Sequence, residues 1–132
     1  MSNPQPLVSI ITPSYNQAKF LEETMLSVLE QDYPNIEYIV IDGGSTDDSP
    51  EIIQKYADRL AYWQSEKDKG QTDAINQGFA RAGGEILAWL NSDDILYPGA
   101  VSAAVRQLQQ HQEVGTVYAD CDWINAEGKV IG

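Results

Sequence analysis

The sequence predicts an α/β domain built on a mostly parallel sheet, and three observations predict it. Apolar, β-rich runs alternate with helical stripes along the whole chain. The stretches that follow the runs are polar and rich in glycine, serine and aspartate. The length of 132 residues suits one domain, which at this size buries roughly two thirds of its unfolded surface. Alternation of this kind gives a three-layer α/β/α sandwich, with ligands held beyond the carboxyl ends of the strands.

Each element has its own signal. "LVSIITP" (7–13) is a β-rich run closed by proline, and "KFLEETMLSVLEQ" (19–31) puts Phe20, Leu21, Met25, Val28 and Leu29 on one helical stripe. "IEYIVID" (36–42) is the second strand. After the turn "GGSTDDSP", Ser49 with Pro50 caps a helix carrying Ile52, Ile53, Tyr56 and Ala57. "LAYWQS" (60–65) is the third strand. Beyond the loop "EKDKGQ", the stretch "TDAINQGFARAGG" is a helix with Ala74, Ile75, Phe79 and Ala82 inward, closed by Gly83 and Gly84. Gly78 inside it costs about 1 kcal/mol against alanine, which predicts a close packing contact there.

"EILAWLN" (85–91) is the fourth strand, read as buried and ending in the polar tip "NSDD". A helix follows from Pro98, with Ala100, Val101, Ala104, Val105 and Leu108 on its stripe, and then a fifth strand, "GTVYAD" (115–120). The last residues read as two short strands around a turn at Glu127 and Gly128. A finish on fresh apolar strands predicts one part of a larger sheet, and exposed apolar surface at that end predicts a homodimer.

Twenty acidic residues against eight basic ones give a formal charge of −12, which opposes approach to nucleic acid or to an anionic membrane surface. Phosphates can still bind, through a cation. The single cysteine, Cys121, rules out an internal disulfide and lacks a histidine partner for thiol chemistry. The opening residues have neither the basic end nor the apolar centre of a signal peptide, so the expected location is cytoplasmic. His111 reads as surface, and Trp63, Trp89 and Trp123 as packing, with Trp123 also open to a sugar-platform role.

Three stretches can carry chemistry. In "NSDD", Asp93 and Asp94 either turn the chain and cap the next helix or hold a hard divalent ion, which takes one or two carboxylates plus substrate phosphates. In "VIDGGSTDDS", Asp42 ends a strand, the glycines permit close backbone approach, and Ser45, Thr46 and Asp47 offer groups for a base or ribose; an ordinary loop explains them too. In "EKDKGQTDAINQG", Lys67 and Lys69 stand beside Asp68, Gly70 and a helix N-terminus, a set suited to a diphosphate or simply to solvent.

Taken together, "VSIITPSYNQAKFLEETMLSVLEQDYPNIEYIVIDGGSTDDS", "SEKDKGQTDAINQGFARAGGEILAWLNSDD" and "GTVYADCDWINAEGKVIG" resemble the family 2 glycosyltransferases of the GT-A fold. The likeness covers nearly the whole chain, and four separated motifs occur in the family's order. It implies a GT-A, Rossmann-like sandwich that binds a nucleotide-diphosphate sugar, a UDP-sugar first, and serves a saccharide or lipid-linked acceptor. It implicates Pro13, Ser14, Tyr15 and Asp42 in holding the nucleotide, and Gly70 and Asp73 in facing the donor. The family's short acidic DXD motif falls on Asn91, Ser92 and Asp93, with an amide in place of the first carboxylate. Asp93 is therefore the implied ligand for a divalent cation, Mn²⁺ or Mg²⁺.

The resemblance also implies an inverting reaction, in which an aspartate takes the proton of the attacking acceptor hydroxyl. That base is expected beyond residue 132, so this stretch alone is expected to turn over slowly or not at all, and any membrane association would come from a region or partner outside it. The rival readings are a non-catalytic binding or assembly module of the same fold, and a nucleotidyltransferase. The second lacks the glycine-rich loop such enzymes carry after the first strand, as does any dinucleotide-binding oxidoreductase reading.

Overall fold

Isoleucine and valine dominate the two strands at the middle of the sheet, where both faces must be apolar. The computed structural model describes residues 5–113, 115–117, 122 and 124–131. In chain order they form β1 (Val8–Ser14), α1 (Ala18–Leu29), β2 (Ile36–Asp42), α2 (Ser49–Lys55), a 3₁₀ turn (Ala57–Arg59), β3 (Tyr62–Ser65), α3 (Gln71–Arg81), β4 (Ile86–Trp89) and α4 (Ala100–Gln110). The strand order is β3-β2-β1-β4, and every pairing in it is parallel. Every residue of β1 is buried, as its central place requires.

Side chains alternate between two cores. On one face Val8, Ile10, Tyr38 and Val40 meet Leu21, Met25 and Val28 of α1, Ile53 of α2, and Val101 and Val105 of α4. On the other, Ile11, Ile39 and Ile41 meet Ala74 of α3, with Phe79 and Ala82 packed alongside. Ile75, expected inward, lies outside this cluster and is half-buried. The expected close contact at Gly78 is present: a Cβ there would stand 2.5 Å from Ile11 Cγ2 and 2.8 Å from Cγ1. The far end of α3 is tied to the sheet as Gly84 N–H donates to Ser9 Oγ (2.9 Å) and Gly83 N–H to Glu37 Oε1 (2.8 Å).

Several boundaries differ from expectation. Asp48, not Ser49, is the N-cap of α2, with Pro50 in its first turn. Ala57 belongs to the 3₁₀ turn, and β3 starts at Tyr62 rather than Leu60. Helix α4 starts at Ala100 behind Gly99, whose φ of +81° reverses the chain after Pro98. The largest departure is β4, which is not buried on both faces. Ile86 and Ala88 pack inward, but Leu87 is 51% and Trp89 56% exposed. The reason is coverage: register puts Trp89 beside Ile11, on the face of α3, and α3 packs mainly over β1 and β2, with Gln77 and Arg81 reaching β3 on the side away from β4.

Near the end, residues 115–117 form no strand, and 118–120, Cys121 and Trp123 lie outside the described residues. Among the described residues the two terminal strands reduce to one antiparallel bridge, Ile124 to Val130, around a turn at Gly128 (φ +84°). No described helix is long and apolar enough to cross a membrane.

Candidate functional site

The parallel register brings Ser14, Asp42 and Ser65 side by side at the carboxyl edge of the sheet. Over that edge lies a cavity of about 660 Å³, walled by the β1–α1 turn, the loop after β2, the start of α3 and the tip after β4. Four segments far apart in sequence meet there because all strands point the same way. This is where a parallel α/β sheet binds ligands.

Of the residues that the family resemblance implicates, Pro13, Ser14, Tyr15, Gly70, Asn91, Ser92 and Asp93 line the cavity. Ser14 is 5% exposed, and its Oγ has no hydrogen-bond partner. A buried hydroxyl left without a partner costs about 1–3 kcal/mol, so this atom favours a ligand. Tyr15 is exposed at the rim and offers a ring face. Gln17 and Gln71, not singled out in the sequence, also line the cavity, as does Ala74, read there only as a packing residue. Gln71 sits on the first turn of α3, a signal that helical position could have supplied.

Asp42 and Asp73 do not reach the cavity wall. Asp42 is fully buried and accepts four hydrogen bonds: from Gly44 N–H (3.2 Å), Ser45 N–H (2.8 Å), Ser45 Oγ (2.6 Å) and Ser65 Oγ (2.8 Å). It shapes the loop of Gly43 and Gly44, and those glycines form the wall. Asp73 turns aside, accepting from Lys69 N–H (2.9 Å) and Gln77 Nε2 (3.1 Å). Of the two lysines, Lys67 lines the cavity and Lys69 does not.

At the start of α3, Gly70 takes φ +113°, a value that disfavours any other residue, and supplies no side-chain cap. The first N–H groups of the helix therefore have no side-chain cap, and Gly70 and Gln71 at that end line the cavity. Asp68 accepts from Gly70 N–H (2.9 Å) and is itself on the wall. The charged residues lining the cavity are Lys67, Asp68 and Asp93, two carboxylates against one ammonium.

The tip after β4 holds the acidic pair. Asn91 Oδ1 accepts from Gln71 Nε2, which ties the tip to α3. Asp94 has its pKa raised, first by desolvation of its carboxyl and then by the charge of Asp93, with a hydrogen bond from Asn91 opposing. Two adjacent carboxylates that repel each other fit a hard cation that takes its remaining ligands from phosphate and water. Among the described residues no three acidic, histidine or cysteine side chains gather as a self-sufficient cage. A smaller cavity, of about 210 Å³, shares Asp93 with the first and is lined by Phe20, Glu23, Thr24 and the terminal turn.

Comparison with known proteins agrees with this arrangement. Residues 9–129 match the family described as Glycosyl transferase family 2. An uncharacterized glycosyltransferase of Mycobacterium tuberculosis (strain CDC 1551) is 47% identical over 105 residues, 78% of this chain and 40% of that protein. A Bacillus subtilis protein named TuaG, for a glycosyltransferase role in teichuronic acid biosynthesis, is 42% identical over 97 residues, 71% of this chain and 38% of its own. The chain thus spans well under half the length of these relatives. Among solved structures, S. aureus TarS residues 1–349 with UDP-GlcNAc superposes with a TM-score of 0.73 at 28% identity, covering 80% of this chain and 32% of that one. The mannosyltransferase PcManGT of Pyrobaculum calidifontis, with GDP-Man and Mn²⁺, also gives 0.73, at 32% identity over 79% of this chain and 32% of its own. The family match takes in all four walls of the cavity: the fold is the GT-A, Rossmann-like one, and the chain belongs to glycosyl transferase family 2.

Proposed function

We propose that this chain is the donor-binding part of a glycosyltransferase that takes a nucleotide-diphosphate sugar, with a UDP-sugar first, and passes the sugar with inversion to a hydroxyl of a saccharide or lipid-linked acceptor. One observation carries the reading. The cavity gathers the buried, unpartnered Ser14 hydroxyl, the exposed ring of Tyr15, an uncapped helix start and Asp93 within a single volume. These groups match a hydroxyl-rich nucleoside at one end and a diphosphate at the other.

Charge supports a cation as part of the site. A diphosphate would enter a cavity whose charged residues already favour the negative sign, in a chain of net charge −12. Asp93, with Asp94 and Asn91 beside it, would hold Mg²⁺ or Mn²⁺ together with the phosphates. When bound, that ion neutralises charge on the departing nucleoside diphosphate. The chain's own residues orient the donor: Ser14 and the Gly43–Gly44 backbone at the nucleoside end, and Lys67 with the start of α3 at the phosphates. Asp42 acts through the loop it holds. Self-association belongs to the same proposal, through the exposed Leu87 and Trp89, and a monomeric mass in light scattering would remove that part.

Titration calorimetry tests the reading with UDP, GDP, dTDP, UDP-GlcNAc and GDP-Man, each with and without Mn²⁺. Nucleotide binding that Mn²⁺ strengthens, and that Asp93→Ala weakens by about tenfold or more, is the expected result. A folded sample that gives no heat with any of the five ends the proposal. Binding that ignores both the metal and Asp93→Ala favours a non-catalytic module of the same fold.

A further inference from the structure

One polar stripe on α1 has no part in the functions described so far. Thr24, Ser27 and Gln31 stand at spacings of three and four residues and so share one side of the helix and of the turn that follows it. Their side chains reach the segment that follows β4. Thr24 Oγ1 lies 3.0 Å from the carbonyl oxygen of Ser92 and 2.7 Å from that of Asp94. Ser27 Oγ accepts from Leu96 N–H (3.1 Å) and donates to Thr24 O (2.7 Å). Gln31 donates through Nε2 to Tyr97 O (2.9 Å) and accepts through Oε1 from Val101 N–H (3.1 Å).

Thr24 is the centre of this clamp. It is fully buried, and a helical threonine ordinarily turns its hydroxyl back to its own helix. Here the hydroxyl is shared between the two carbonyls that flank Asp93 in the chain. Asp93 itself is exposed and belongs to no strand. Its backbone is therefore held from behind, by a helix 68 residues earlier in sequence.

The same helix reaches the opposite wall. At its start, Ala18 N–H donates to Asp47 Oδ2 (3.0 Å), and Asn16 exchanges bonds with Ser45 (2.8 Å) and Thr46 (2.8 Å) in the loop after β2. Helix α1 is thus a strut between the nucleoside-side loop and the carboxylate tip. Its rigidity fixes the distance between two walls that share no strand pairing with each other.

We infer that Thr24, assisted by Ser27 and Gln31, is a positioning residue that sets where the Asp93 carboxylate meets a phosphate-bound divalent cation. The inference rests on the donor-binding reading above and adds residues that do not line the nucleotide cavity.

The test uses the whole chain and four variants: Thr24→Val, which keeps shape and deletes the hydroxyl, Thr24→Ser, which keeps the hydroxyl, Ser27→Ala, and Thr24→Val combined with Asp93→Ala. UDP affinity is measured in EDTA and in Mn²⁺, and amide hydrogen exchange is followed over residues 92–97 without ligand. Thr24→Val is expected to weaken Mn²⁺-dependent UDP binding about tenfold, leave binding in EDTA within about twofold, and speed exchange over 92–97. Thr24→Ser restores both, and Ser27→Ala shows the same pattern more weakly. Adding Asp93→Ala to Thr24→Val costs much less than it does in the parent, because the carboxylate is already misplaced.

Equal losses in EDTA and Mn²⁺ would reduce Thr24 to a general stabiliser, and unchanged Mn²⁺ dependence in folded Thr24→Val would overturn the inference. If the parent binds no nucleotide, the donor-binding reading fails instead. The exchange data then decide the clamp: protection over 92–97 that survives Thr24→Val overturns it. Should Thr24→Val not fold, Ser27→Ala carries the same comparison.

Discussion

Gly78→Ala is the substitution for which local and tertiary physics disagree most sharply. An alanine at an interior helix position is worth about 1 kcal/mol over glycine, so helix propensity alone favours the change. The added Cβ, however, would sit 2.5 Å and 2.8 Å from the two branches of Ile11. Carbon atoms prefer about 3.5–4.0 Å, so each contact is about 1 Å too short. Ile11 cannot swing away: it is β-branched, fully buried, and on a strand paired on both sides. Helix α3 must therefore rise off the sheet.

Overpacking of this kind costs about 1–3 kcal/mol, and two overlaps against a stiff side chain put Gly78→Ala at the upper end or beyond. The net loss is about 1–2 kcal/mol, read as a fall in melting temperature of roughly 4–10 °C. The urea midpoint should drop with its slope unchanged. Ile11→Ala by itself costs about 2–5 kcal/mol by leaving a cavity. Combined with Gly78→Ala it should cost about 1–2 kcal/mol less than the sum, since the new methyl occupies vacated space. Because α3 also carries Gln71 and Ala74 to the cavity wall, nucleotide binding should weaken in the single variant and recover in part in the double. A Gly78→Ala protein as stable as its parent, or strict additivity in the pair, would refute the packing argument.

Two further outcomes follow from the hydrogen-bonding pattern. Asp42→Asn presents an amide N–H₂ to donors that need an acceptor, so it should lose about 1–3 kcal/mol in urea denaturation and speed amide exchange at Gly44 and Ser45. A direct nucleotide ligand would instead lose affinity with stability intact. In acid, the hydrogen bond from Lys55 and then that from Tyr56 hold the Glu22 carboxyl below its usual range; burial pushes Asp47 up, but hydrogen bonds from Ser49 and Ala18 outweigh it and hold it low. A folded pKa below the unfolded one gives stability that is present above about pH 4 and is lost as pH falls through the lowered value. Melting temperature should therefore drop below about pH 4, and Asp47→Asn should flatten part of that drop; an unchanged acid limb would assign it to other groups. The exposed Glu22–Lys55 pair adds little and less in salt.

The sequence by itself determined the alternation of strands and helices, the strand ends at Asp42 and Ser65 and, within one residue, that of β1, and the polar segments that meet at the carboxyl edge. These are legible because hydrophobic period, glycine and proline act within a few residues. It also pointed to Gly78, since a glycine inside a helix carries a local cost that some neighbour must require. The tertiary structure decided what those signals met. It left Leu87 and Trp89 open because α3 lies mainly over β1 and β2, and it made Asp42 the buried acceptor of its own loop. It also took Thr24, Ser27 and Gln31, which read as ordinary polar positions of an amphipathic helix, and set them behind Asp93. Which group a side chain bonds across some 68 residues depends on strand order and helix placement, and no local period carries that information.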